Sequence, residues 1–212
     1  MIIKWIVCQV PEEKKTAFTE AQMIWSSLSD AEGFYGQWGG WNIYQPTKAC
    51  IFSIWQSLSA YESFMSSIHD TLFLTSDQSQ TYQSISVDLS KLVLSIPGEK
   101  EFFYQALSHS YLRMADCMVK PKRINSFLQA QKTIWNPAMG QTKGMIAGVI
   151  GETIKIPNRY LVLSLWKDKQ SHEAYTKRVI DLRQQAKTDQ DIESVSGCLV
   201  QLEEKWLVLP KR

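Results

Sequence analysis

The feature that most constrains this chain is an internal repeat. The segment Phe52-Ser53-Ile54-Trp55-Gln56-Ser57-Leu58-Ser59-Ala60-Tyr61-Glu62-Ser63-Phe64 returns as Leu163-Ser164-Leu165-Trp166-Lys167-Asp168-Lys169-Gln170-Ser171-His172-Glu173-Ala174-Tyr175, 111 positions further on. Ser, Trp and Glu recur in register among apolar and aromatic neighbours. Upstream, Cys8, Phe18, Ala21 and Gln22 recur as Cys117, Phe127, Ala130 and Gln131 at a shift of 109, so two residues are inserted between the blocks. Two copies cannot stack into a solenoid, which needs three or more units to bury a continuous core. The repeat therefore predicts two similar halves packed on each other.

Composition narrows the class. With 212 residues and 44% hydrophobic content, each half can build its own core. A net charge of +2 with scattered Lys and Arg offers no electrostatic footprint for nucleic acid. No stretch approaches the roughly 18 uncharged apolar residues of a membrane span, and the N-terminus lacks the cleavage signature of a secretory leader. The four cysteines, Cys8, Cys50, Cys117 and Cys198, stand singly in apolar runs, as reduced thiols of a cytoplasmic protein do. Their spacing matches no metal site, and none is expected.

Hydrophobic periodicity gives the element order. Ile2–Val10 reads as a strand. A helix follows from Pro11 to about Leu28, with Phe18, Ala21, Trp25 and Leu28 in one stripe. Strands are expected over 33–44 and 49–55. Ser59-Ala60-Tyr61-Glu62 has capping-box spacing and opens a helix carrying Tyr61, Phe64, Met65, Ile68 and Leu72 on one side. A polar loop, 75–84, precedes a strand over 85–96. The second copy repeats the order: strand 109–119, helix 121–135, strands 145–154 and 160–166, helix 170–186, strand 195–209. Residues 1–98 and 109–212 form the two domains, with 99–108 as connector.

Each half is thus a βαββαβ unit, an antiparallel sheet with both helices on one face. Ile3, Trp5 and Val7 alternate with Ile2, Ile6, Cys8 and Val10, so both sheet faces are apolar while helices cover only one. The uncovered face needs a partner. The fold class that follows is α+β: two tandem ferredoxin-like domains packed sheet to sheet, a monomer with an internal pseudo-dimer. RNA-recognition modules share the order but need basic, aromatic exposed sheets, which this chain lacks.

Gly33-Phe34-Tyr35-Gly36-Gln37-Trp38, together with Trp55, Ser59, Tyr61, Phe64, Ser67 and His69, resembles the antibiotic-biosynthesis-monooxygenase-like family of dimeric α/β-barrel proteins. The tandem arrangement is similar to the YdbC-type proteins of bacilli. The resemblance implies a dimeric α/β barrel, here made within one chain. Members include cofactor-free quinol-type oxygenases, haem-degrading monooxygenases and proteins of no known activity, so architecture alone carries no reaction across. The haem-degrading branch uses a first-strand Asn, where this chain has Cys8 or Gln9. Its axial histidine could only be His69, which lies further from Trp55 than in that branch. Ile180 takes the place of His69 in the second copy, so the first half is the better candidate.

The expected site is a pocket between the sheet and second helix of the first half. His69 would be the catalytic base, since imidazole titrates near neutrality. Phe34, Trp38, Trp41, Trp55 and Tyr61 would be ligand walls; for each, packing in the core is the competing role. Trp55 and Trp166, kept in both copies, read more simply as packing anchors. His109 and His172 read as exposed, Asp116 as a carboxylate without an assured partner, and Cys8 and Cys117 as inert thiols. The leading expectation is a binder, and possible oxygenase, of a small hydrophobic or aromatic molecule that needs no cofactor. A non-catalytic binding protein and a haem protein are the alternatives.

Overall fold

The computed structural model describes residues 1–98 and 110–211; the expected connector and His109 lie outside the described residues. The strands are β1 (Ile2–Gln9), β2 (Phe34–Asn42), β3 (Lys48–Trp55), β4 (Ser84–Ile96), β5 (Tyr111–Val119), β6 (Met145–Thr153), β7 (Arg159–Trp166) and β8 (Ile192–Leu202). Their hydrogen-bonded order, β1-β3-β2-β8-β5-β7-β6-β4, closes as a barrel. The chain divides into two compact units, Met1–Leu89 with Val200–Arg212, and Ser90–Leu199.

In the first unit β3 lies between β1 and β2. Ile2 and Phe34 both oppose Trp55, and Lys4 and Gln37 both oppose Ser53. A bulge between Phe34 and Gly36 interrupts the β2 ladder, as a glycine-rich strand suggests. The far end of β8 joins the outer edge of β2, with Gly40 opposite Leu202 and Asn42 opposite Val200. Gly40 is required there, because a Cβ would overlap the carbonyl oxygen of Gln201. Helix α1 (Lys15–Gln22) continues as a tighter 3₁₀ stretch, Met23–Asp30, and presents Phe18, Gln22, Trp25 and Leu28 to the interior. Helix α2 (Leu58–Phe64) is capped by Ser57, whose hydroxyl accepts the Ala60 N–H at 3.0 Å. The expected cap, Ser59, already lies inside the helix.

The π-helical turn Met65–His69 then leads into α3 (Asp70–Thr75). Five residues per hydrogen-bonded turn shift the following side chains around the axis. His69 and Phe73 consequently face the interior, whereas Ile68, expected on the apolar side, is exposed. The segment after α3 is less loop-like than its polarity implies: Gln78 and Thr81 are buried. The Trp25 indole donates to Gln78 Oε1 at 2.8 Å, and Gln78 Nε2 donates to Gln22 Oε1 at 2.7 Å. This buried relay satisfies groups that would otherwise be costly to desolvate.

The second unit repeats the arrangement. Tyr111 and Met145 both oppose Trp166, with a bulge between Met145 and Ala147. The far half of β4 pairs with β6, from Ser90 opposite Thr153 to Ile96 opposite Gly148. Helix α4 (Ile124–Ala130) passes through a π turn, Gln131–Trp135, into α5 (Asn136–Gly140). The helix expected over 170–186 divides into α6 (Lys169–Thr176) and α7 (Val179–Gln185), followed by a short α8 (Thr188–Asp191). Asp168 caps α6 at the position equivalent to Ser57. Asp116 has the partner that its own strand does not provide: Arg159 of β7 grips its carboxylate at 2.6 and 2.9 Å. The last strand stops at Leu202 instead of 209, because Glu204–Trp206 turns inward and buries Trp206 between Phe18 and Trp41.

Gly40→Ala should lower stability by about 2 kcal/mol, the usual scale of forced overpacking. Urea denaturation followed by tryptophan fluorescence measures it; an unchanged midpoint would show that the β2–β8 contact tolerates a Cβ.

Candidate functional site

The first unit holds a partly open cavity of about 400 Å³ between the helix-facing side of its sheet and the helices above. Strands contribute Lys4, Ile6, Cys8, Gln37, Ile51 and Ser53 to its floor. The helical side supplies Phe18, Trp25, Phe64, Met65, His69 and Phe73. The size falls within the roughly 300–1,000 Å³ of small-molecule sites.

Trp55 organises one end. It is 1% exposed, donates its indole N–H to Ser53 Oγ at 3.1 Å, and stacks on Phe64 with ring centres 5.0 Å apart. Tyr61 meets it edge-on at 5.8 Å. Of the residues singled out from the sequence, His69, Trp55 and Tyr61 line the cavity. Phe34 packs against the edge of Trp55 behind the lining. Trp38 stacks on Phe52, ring centres 4.9 Å apart, on the opposite face of the sheet. Trp41 packs with Phe18 and Trp206 beneath the Lys15 ammonium. Three expected walls are thus structural neighbours rather than lining groups, and strand parity explains the Trp38 case.

His69 sits among Trp25, Phe64 and Phe73, with ring centres 5.5, 5.7 and 6.0 Å away. Its Nδ1 lies 2.9 Å from Asp70 Oδ1. An ionised carboxylate only accepts, so in the neutral imidazole this contact selects the tautomer with its proton on Nδ1 and its lone pair on Nε2. Sequence reasoning missed Lys4. Burial lowers its ammonium to about 8, and Nζ stands 5.2 Å from the Tyr61 ring centre. Among the described residues no Asp or Glu lines the cavity. The alternation of β1 held the signal: Lys4 shares the parity of Ile6 and Cys8. Burial also pushes the Cys8 thiol up to about 12, which keeps it protonated and unreactive. Among the described residues no cluster of three or more His, Cys, Asp or Glu side chains could hold a metal ion, and no helix is long and apolar enough to cross a membrane.

The matching space in the second unit is only about 120 Å³. Arg113, Cys117 and Gln131 line it where the first unit has Lys4, Cys8 and Gln22. His172 is not exposed as the sequence suggests; it is 7% exposed, edge-on to Trp166, and its Nε2 has no hydrogen-bond partner among the described residues. Burial, helped by Arg113, lowers its imidazole to about 4.

A closed order of eight strands built from two βαββαβ repeats is the dimeric α/β-barrel fold. Solved structures agree on the fold. A candidate monooxygenase from Fusobacterium nucleatum superposes with TM-score 0.79 at 14% identity, over 98% of this chain and 94% of that one. One from Lactobacillus acidophilus gives 0.76 at 14%, over 98% and 95%. Residues 2–90 match the domain of unknown function DUF4937. Over 89 residues the chain is 39% identical to the uncharacterized protein YdbC of Bacillus subtilis, a match covering 41% of this chain and 75% of that protein. The chain belongs to this YdbC family.

His172 makes the fold acid-sensitive. Its folded value lies below the ordinary 6.5, so the unfolded chain binds more protons as pH falls from about 6.5 to about 4. The stability contributed above 6.5 is lost across that window, on the order of 2–3 kcal/mol. Denaturation at pH 7 and pH 4 should show a smaller loss for His172→Leu than for the unaltered protein; equal losses would refute the assignment.

Proposed function

We propose that the cavity of the first unit binds a small, largely apolar aromatic molecule, and that His69 removes a proton from it to begin a cofactor-independent oxygenation. The observation that carries this reading is a roughly 400 Å³ space walled by Trp25, Trp55, Phe64 and Phe73 and reaching the imidazole of His69. Asp70 orients that imidazole with Nε2 as its basic nitrogen. Loss of a proton from a phenol or enol leaves an electron-rich anion that can pass electrons to dioxygen directly, and an apolar enclosure protects such an anion from water. The monooxygenase-like neighbours support the class of chemistry, and buried, protonated thiols suit a reducing cytoplasm.

The residues present do not fit haem. The one imidazole is enclosed by three aromatic rings, and among the lining residues Lys4 is the single Lys or Arg for two propionates.

The test uses 1,8-dihydroxyanthrone, a planar tricyclic enol, in an oxygen electrode. The protein should accelerate oxygen uptake, His69→Ala should reduce the rate about 100-fold, and Met65→Trp, which fills the cavity, should abolish binding. Binding with equal uptake in protein and His69→Ala would leave a non-catalytic binding protein. A Soret shift on adding haem that disappears in His69→Ala would replace this reading with a haem one.

A further inference from the structure

Three neighbouring strands set three polar side chains in a row on the cavity floor. Lys4 of β1 opposes Ser53 of β3, and Ser53 opposes Gln37 of β2. All three line the cavity. We infer that Lys4, Ser53 and Gln37 form an oxyanion pocket, and that the ligand of the first unit is an aromatic molecule bearing an acidic oxygen, held there as its anion. This inference rests on the cavity reading above and names the chemical class of its ligand.

The row is made of donors. Ser53 Oγ accepts the Trp55 indole proton at 3.1 Å, which leaves its own hydroxyl proton for another acceptor. Gln37 is 5% exposed, and its buried Nε2 has no hydrogen-bond partner among the described residues. Such an orphan amide is costly and rare in a folded protein. Its backbone is fixed, because its N–H donates to Val208 O at 2.8 Å and its carbonyl accepts from the Val208 N–H at 3.0 Å. The side chain is therefore held over the floor rather than drifting towards solvent. Lys4 adds a positive charge, and among the described residues no carboxylate lines the space to neutralise it. An unpaired cation in a largely apolar enclosure favours a ligand that supplies the missing negative charge.

The second unit offers an internal comparison. In the same register Arg113 opposes Ser164, and Ser164 opposes Gly148. Ser164 takes the Trp166 indole proton at 3.0 Å, as Ser53 does from Trp55. Cation and hydroxyl persist, but the amide is gone and the space shrinks to about 120 Å³. The complete donor row therefore coincides with the larger cavity.

Two nearly isosteric probes separate charge from fit: 2-naphthoate and neutral 2-naphthamide, each titrated by calorimetry into the full chain. Naphthoate should bind at least 10-fold tighter. Lys4→Met should remove that preference, naphthoate losing more affinity than naphthamide; Lys4→Arg should keep it, and Gln37→Leu should reduce it several-fold. Bound 2-naphthol gives a second readout, since its phenolate absorbs at longer wavelength and should form at lower pH in the protein than in water, but not in Lys4→Met. Equal affinities in the unaltered protein, or a preference indifferent to both substitutions, would overturn the oxyanion pocket. Failure of naphthamide to bind, or its indifference to Met65→Trp, would instead overturn the cavity reading and this one with it.

Discussion

One hydrogen bond, made twice, holds the arrangement together. In each unit a tryptophan at the end of a central strand donates its indole proton to the serine two residues earlier, at 3.1 Å for Trp55 and 3.0 Å for Trp166. The bond orders a large side chain against its own strand and leaves its face for the helix. Phe64 stacks on Trp55 at 5.0 Å and Tyr175 on Trp166 at 5.3 Å, with interplanar angles of 29° and 28°. An acceptor offsets the cost of burying the indole N–H. The same contact fixes where the helix leading to His69 crosses the sheet, and it aims the Ser53 hydroxyl at the cavity floor.

The two halves use this frame unequally. His69 corresponds to Ile180, which is 71% exposed, and Gln37 corresponds in register to Gly148. The second unit fills its interior instead with Trp135, Met139, Tyr175 and Leu182 around a smaller void. Its buried histidine, His172, lies near the start of α6, away from the position His69 occupies. A duplicated scaffold thus retains its packing anchors in both copies, while the proposed chemistry has one address.

Much of the fold was legible because strand alternation and the repeat reinforce each other. β1 shows Lys4, Ile6 and Cys8 on one parity, and Ser53 and Trp55 reappear intact 111 residues later. The site was less legible, for physical reasons. Trp38 is as aromatic as Trp55, yet its parity sends it to the other face, where Phe52 receives it. Ile68 looks apolar and inward on a 3.6-residue period, but the π turn gives that direction to His69. Lys4 and Gln37 were passed over because single polar residues in apolar strands usually face solvent, and only the strand register shows them side by side. The cap of α2 at Ser57 was masked by a better-spelled motif two residues on.

The winding of the first helix in each half has a consequence for how such a protein can diverge. Between Gln22 and Phe34 the chain proceeds through 3₁₀ turns, which climb about 2.0 Å per residue. Between Gln131 and Met145 it proceeds through a π turn and an α-helix, which climb more slowly. The looser coil rises less per residue, and the discrepancy of two positions between the copies falls in this stretch. Phe34 and Met145 nonetheless arrive opposite the equivalent tryptophans, Trp55 and Trp166. Coil tightness thereby acts as slack in the gene: codons can be gained or lost there while every strand keeps its neighbour.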